Sequence, residues 1–405
     1  MEQSLEYIEK TSFRKVIIFI SLLIITSVMY QIYFYGYSAP GTPAGPGWQR
    51  LVLKVIGISI FYLSIFKLFS VRAFLSNIAL KVPLLFIAAV TIFSLPFIQG
   101  DYLQALNLCF FIPLLAINFT GQRGQILFKE ILSMLLLLFV IQIILDPVLK
   151  IITGISYQNL AMYGGVGNAN SFGYLILSCA IFLLNTENKK GLFYFLCISS
   201  FFTGSLIIAF ASSALLAISF FMNIRRYNVI DWVSFTIFST LFLVILSFIF
   251  NDNFEELFRS VTHALAKLEG LINYLAGSSE GSASVSIREE YIMNGFKMLA
   301  ENPLGLIFGH PNGIVMYTGD GWWLALLVTH GLVVTILFLI TNTIIFIRGI
   351  NSGTQLGKTA SYIILFTCFI FVANRILDYW PAGFIYILAV GFICNTSSNK
   401  QHIKT

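Results

Sequence analysis

Apolar residues run through this chain in long blocks separated by short polar joints. A bilayer core takes roughly 20 apolar residues of helix to cross, and blocks of that order recur from one end to the other. The pattern predicts about twelve spanning helices. They cover 16–35, 51–70, 82–99, 102–119, 130–151, 170–185, 192–208, 211–224, 233–250, 322–346, 360–376 and 380–394. The faintest joint, Ala209 to Ser213, separates the seventh from the eighth. The expected fold class is therefore all-α: a polytopic integral membrane protein with a large helical loop between helices 9 and 10. Residues 1–250 hold helices 1–9, 251–321 the loop, and 322–405 helices 10–12 with a tail, one membrane domain overall.

Composition agrees with the pattern: 58% of residues are hydrophobic, 10% are charged, and mean hydropathy is +0.86. Such values lie outside the range of water-soluble domains. The basic residues orient the helices by the positive-inside rule. Lys10, Arg14, Lys15, Lys67, Arg72, Lys81, Arg123, Lys129, Lys189, Lys190, Arg225, Arg226, Arg348, Lys358, Lys400 and Lys404 share one set of connections. The opposite short connections carry only Arg50, Lys54, Lys150 and Arg375. Both termini are expected in the cytoplasm, and the net charge of +6 serves inner-loop anchoring to anionic membrane lipid, with no nucleic-acid partner. The first apolar stretch reads as the first anchor, since it is long and runs into Gly36, Pro40 and Pro43 without a clear cleavage site. Cys109, Cys179, Cys197, Cys368 and Cys394 fall inside predicted spans and act as small apolar residues.

Polarity on the outer side gathers in the loop. Its first half reads as an amphipathic helix, with Phe254, Leu257, Phe258, Val261, Leu265, Leu268, Leu271, Ile272 and Leu275 on one face. Asn253 and Glu256 have capping-box spacing there. After "GSSEGSAS", Ser286 and Glu289 predict a second helix start, with Ser286 as N-cap and Arg288 in the first turn. A guanidinium beside free N–H groups at a helix N-terminus suits phosphate; the plainer alternative is a surface pair with Glu289 or Glu290.

Four patches then recur in order: "GGVGNANSFG" at 164–173, Arg288, "ENPLGLIFGHPNG" at 301–313, and "TGDGWWLALLVTHG" at 318–331. Their order around a large outer loop resembles the O-antigen polymerase and O-antigen ligase superfamily of bacterial membrane glycosyltransferases. The resemblance spans most of the chain, with departures. Ile292 stands where the family usually has tryptophan, four residues after its loop arginine. Ser212-Ser213 stands where Ser-Arg is common, which leaves Arg375, near Asp378, as a replacement cation. Asp320-Gly321 replaces the His-Asn pair of ligases, which points to the polymerase branch.

The resemblance implies a GT-C-like membrane fold in the bacterial inner membrane with a periplasmic active face. It implies glycans carried on undecaprenyl diphosphate as substrates, joined without cofactor or metal, and a chain-length regulator protein as a partner. In that chemistry a sugar hydroxyl attacks an anomeric carbon and lipid diphosphate leaves. Arg288, assisted by Arg375 or Arg259, would hold the diphosphate. Asp320 or His310 would take the hydroxyl proton, Asp320 with its pKa raised by partial desolvation at the interface. An N-cap for Asp320 and a turn position for His310 are the plainer alternatives. Asn168, Asn170 and Tyr291 are candidates for sugar contacts, with Asn170 alternatively an N-cap. His330, some turns into the tenth span, is expected to make a polar interhelical contact. No Asp-x-Asp or paired-histidine motif and no Gly-rich nucleotide loop occurs in the sequence, which disfavours a sugar-nucleotide donor. A ligase passing polysaccharide to a lipid A-core acceptor is the alternative within the superfamily; a flippase or transporter is the alternative outside it.

Overall fold

The computed structural model describes residues 2–26, 28, 47–93, 107–153, 162, 164–166, 168–186, 190–223, 268–270, 272–273, 283–301, 303–310 and 321–396. The elements are α1 (Glu2–Ile25), α2 (Gly47–Ile65), α3 (Val71–Leu75), α4 (Ile78–Phe93), α5 (Asn107–Phe111), α6 (Gln122–Thr153) and α7 (Ala169–Thr186). They continue as α8 (Lys190–Phe201), α9 (Leu206–Asn223), α10 (Ala283–Glu301), α11 (Pro303–Phe308), α12 (Trp322–Ile350), α13 (Gln355–Ile370) and α14 (Trp380–Thr396). The described residues are all-α apart from one isolated bridge, Phe69 to Ile117. Three helices among them are long and apolar enough to cross a membrane, at 122–146, 169–186 and 322–350. The amphipathic stretch 254–275 lies almost wholly outside the described residues, as does the predicted ninth span.

The core forms around α7 and α14. Every residue of α14 from Trp380 to Asn395 is buried, against α5, α7, α12, α13 and the turn at Ile112–Ala116. A helix apolar on all sides belongs in the middle of such a bundle. By contrast α12 leaves Leu332, Val333, Ile336, Leu337, Leu339 and Ile340 exposed along one side, a stripe fitted to lipid. Between helices in lipid, packing and hydrogen bonding outweigh any hydrophobic drive. The buried polar pairs are placed accordingly: Thr367 donates to the Tyr174 hydroxyl at 2.9 Å, and Tyr386 to Asn342 Oδ1 at 2.7 Å.

One end of the bundle is closed by a polar clasp. The Lys81 ammonium, fully buried, donates to the carbonyls of Ala73 at 2.8 Å, Phe74 at 3.0 Å and Leu115 at 3.2 Å, and to Asn395 Oδ1 at 2.8 Å. Asn395 in turn donates to the carbonyls of Leu115 and Ile117. Arg348 donates to Asn77 Oδ1 at 2.8 Å, and Asn77 to the Cys394 carbonyl. Lys15 pairs with Glu130 across α1 and α6 at this same end, beside the stacked rings of Phe128 and Phe392. Residues assigned to basic connections from sequence thus meet in space. Lys81, however, is tied into the protein, not presented to lipid.

Several predicted elements are corrected. The joint between the seventh and eighth spans lies at 202–205, ahead of Ala209: Gly204, at φ 63°, takes the left-handed conformation that ends a helix. The fourth span is not one α-helix. Pro113 sits at the start of a 3-10 turn over Ile112–Ala116, and the chain then extends to bridge Phe69. The second loop helix begins at Ala283, so Ser286 is internal and not the N-cap, and Arg288 falls in the second turn. A cap contributes about 1 kcal/mol, which continuation of the helix through Ala283 and its neighbours outweighs. Finally, α12 is broken at Gly331, whose φ of 80° and ψ of 174° no helix accommodates.

Candidate functional site

The break in α12 organises the end opposite the clasp. At Gly331 a Cβ would lie 2.2 Å from the Ile307 carbonyl and 2.5 Å from Gly309 N, so the loop segment carrying α11 rests directly on the interrupted helix. The His310 backbone N–H donates to the Val328 carbonyl at 2.7 Å, taking up an acceptor that the break releases. Leu299 at the end of α10 packs with Ala325 and Val328. The helices α10 and α11 are therefore seated on α12, and they leave Met293, Phe296, Leu304 and Phe308 exposed.

The first turns of α12 are fixed from the other side by α13. Trp322 N–H donates to the Phe371 carbonyl at 2.9 Å, the Trp322 ring stacks on Phe371 at 4.5 Å, and Trp323 Nε1 donates to the Cys368 carbonyl at 3.0 Å. Clamped between these contacts, α12 lines a cavity of about 50 Å³ with Trp322, Ala325, Leu326, Thr329 and His330. Among the described residues, Ile87 and Thr91 from α4, Leu108 from α5, and Arg375 and Leu377 from the turn before α14 also line it.

The polar equipment of this cavity is specific. Thr91 and Thr329 both donate their hydroxyl protons to carbonyls one helical turn back, Ile87 at 2.8 Å and Ala325 at 2.7 Å. His330 is 7% exposed; its Nδ1 contacts the Thr329 hydroxyl, and its Nε2 is buried with no hydrogen-bond partner among the described residues. The expected interhelical contact of His330 is thus corrected: its hydrogen bond is to the preceding residue of its own helix. Arg375, half-buried, supplies a cation to the same wall. In an interior where unpaired polar groups cost on the order of 1–3 kcal/mol, a buried imidazole nitrogen with no partner among the described residues, in a wall that Arg375 also lines, makes this cavity the candidate site.

The sequence-predicted residues distribute unevenly around this centre. Arg375 lines the cavity, and His310 is half-buried with its backbone bonded next to Thr329. Arg288 lies eleven residues before Leu299, roughly 16 Å along α10 from where that helix meets α12. The Arg288 side chain, Asp320, Arg259 and the Asp378 side chain lie outside the described residues. Tyr291 is half-buried on α10. Asn168, not Asn170, caps α7: its Oδ1 accepts from Ser171 N at 2.9 Å. Asn170 Oδ1 accepts from the Ser205 hydroxyl, tying the glycine-asparagine turn to the α8–α9 joint. His330 is not legible as a site residue in the sequence, because "LLVTHGLVV" reads as an uninterrupted apolar run; its one signal is a ring nitrogen directly before a glycine.

An apolar helical bundle with a cationic, imidazole-bearing cavity at one end is the class that fold and site define. No protein-family model matches the chain, and comparison with curated proteins returns no match.

Proposed function

We propose that this protein is a polymerase of the O-antigen type, a membrane glycosyltransferase that joins oligosaccharide repeats carried on undecaprenyl diphosphate. The observation that carries the reading is Arg375 in the wall of a partly open cavity at the bundle end opposite the basic clasp. On this reading that end is periplasmic, the membrane is the bacterial inner membrane, and the cavity opens where lipid headgroups lie. A guanidinium cannot lose its proton there, and it meets growing diphosphate charge without having to reorganise. Arg288 and Arg259 on the loop are the further cations this reading assigns to the lipid-linked substrates, and neither metal nor cofactor is assigned a part.

The test uses the purified chain with lipid-linked repeats extracted from the producing bacterium. Wild type is expected to build a ladder of polymer lengths, and Arg375→Ala and Arg288→Ala to lose at least 10²-fold in rate while inserting normally. A wild-type protein that makes no ladder sinks the reading. Deletion in the host separates the ligase alternative, since polymerase loss leaves core bearing one repeat and ligase loss leaves bare core.

One observation favours a transporter as the second reading. The broken α12, with loop backbone packed into the break, is the kind of interrupted helix that lines transport sites. Movement of a labelled lipid-linked repeat across reconstituted vesicles, without change in its length, would select it.

A further inference from the structure

Resting on the glycosyl-transfer reading above, we propose that His330 is the group that takes the proton from the attacking sugar hydroxyl. The assignment follows from where protons must sit. The single hydroxyl proton of Thr329 is donated to the Ala325 carbonyl at 2.7 Å, so its oxygen meets His330 Nδ1 as an acceptor. We assign the imidazole proton to Nδ1, the tautomer that matches this hydroxyl orientation, which leaves Nε2 a bare lone pair. That nitrogen is buried, has no partner among the described residues, and belongs to a side chain lining the cavity with Arg375. A group entering the cavity must bring its own O–H or N–H to satisfy it. A sugar hydroxyl does so.

Size fits the same assignment. A cavity of about 50 Å³ has room for a few water-sized groups, at roughly 10–15 Å³ each, so a hydroxyl and its carbon fit within it. Both requirements of the reaction then meet in one wall. The hydroxyl oxygen forms a bond to the anomeric carbon of the donor glycan, and its proton passes to Nε2. The bond from that carbon to the diphosphate oxygen breaks, and its electron pair leaves with the lipid diphosphate, whose charge faces Arg375. The imidazolium, held at Nδ1 by Thr329, returns its proton to the departing diphosphate or to water. The Gly331 break directly after His330 fixes the ring's level in the bundle, because α11 is packed against it and α12 cannot slide.

The experiment is polymerisation by the purified full chain in liposomes, using the extracted lipid-linked repeat, with His330→Ala, His330→Gln, Asp320→Asn and His310→Gln in parallel. His330→Gln is expected to lower kcat by about 10²- to 10⁴-fold with KM little changed. Added imidazole is expected to restore a measurable part of the His330→Ala rate by occupying the vacated volume, a response a purely structural histidine would not give. A His330→Gln rate within twofold of wild type overturns the assignment while leaving the polymerase reading intact. So does loss in a well-folded His330→Ala that imidazole does not restore, or a larger loss in Asp320→Asn than in His330→Gln. Absence of any wild-type ladder overturns both ideas together. Should His330→Ala fail to fold, the kcat and KM of His330→Gln decide.

Discussion

At the scale of single residues, Lys81 shows how one ammonium can organise several chain segments. It satisfies three backbone carbonyls and one side-chain amide from α3, the Ile112–Ala116 turn and α14, with no carboxylate among these acceptors. Replacing it by methionine keeps the stem volume but leaves those buried acceptors without their donor. We expect Lys81→Met to destabilise the folded protein by about 3 kcal/mol or more, seen as early loss of the monodisperse species on heating in detergent. Lys81→Arg is expected to fail as well, since a planar fork cannot reach acceptors arranged around a point charge. From sequence Lys81 was legible only as one more basic residue beside a span. Its charge placed it at the correct end of the bundle, but which carbonyls it would reach depended on helix ends that only the fold brings together. His330 was illegible for a related reason: an apolar neighbourhood predicts burial, and nothing local says whether a buried nitrogen will find a partner.

At the scale of elements, apolar blocks bounded by clear polar joints were read well. The apolar block expected at 170–185 is α7 at Ala169–Thr186, one of the three helices long and apolar enough to cross a membrane, and the block expected at 380–394 is the shorter apolar helix α14 at Trp380–Thr396. Misreadings fell where backbone chemistry interrupts an apolar run without a polar residue to announce it, as at Pro113, Gly204 and Gly331. The last of these has the largest consequence, because the loop element docks on it by backbone contact. Gly331→Ala would place a Cβ against the Ile307 carbonyl at 2.2 Å and force a positive-φ position on a residue that resists it. The α11 segment must then lift. A cysteine at Val328, fully buried beneath that contact, should react with maleimide at least tenfold faster when Gly331→Ala is added to a background lacking the native cysteines. An unchanged labelling rate would mean that α11 is held by something other than the break.

At the scale of the whole molecule, the decisive relation is between the two ends of the bundle. Lys81, Arg348 and the Lys15–Glu130 pair gather at one end, whereas Trp322, Thr91 and Arg375 surround the cavity at the other. Because α12 and α13 form a hairpin, Asn351 in its turn and Trp322 at its start lie on opposite sides of whatever those helices cross. On the proposed reading, the basic residues flanking Asn351, Arg348 and Lys358, put that turn in the cytoplasm. A cysteine at Asn351 should therefore resist a membrane-impermeant maleimide added outside cells whose outer layers are permeabilised. A cysteine at Glu301, exposed at the end of the helix seated on the opposite end of the bundle, should label at once. The reverse pattern would turn the cavity of Arg375 and His330 toward the cytoplasm. There the donor would be met before it crosses the membrane, and a reaction on exported lipid-linked repeats could not be carried out at this site whatever its residues can do.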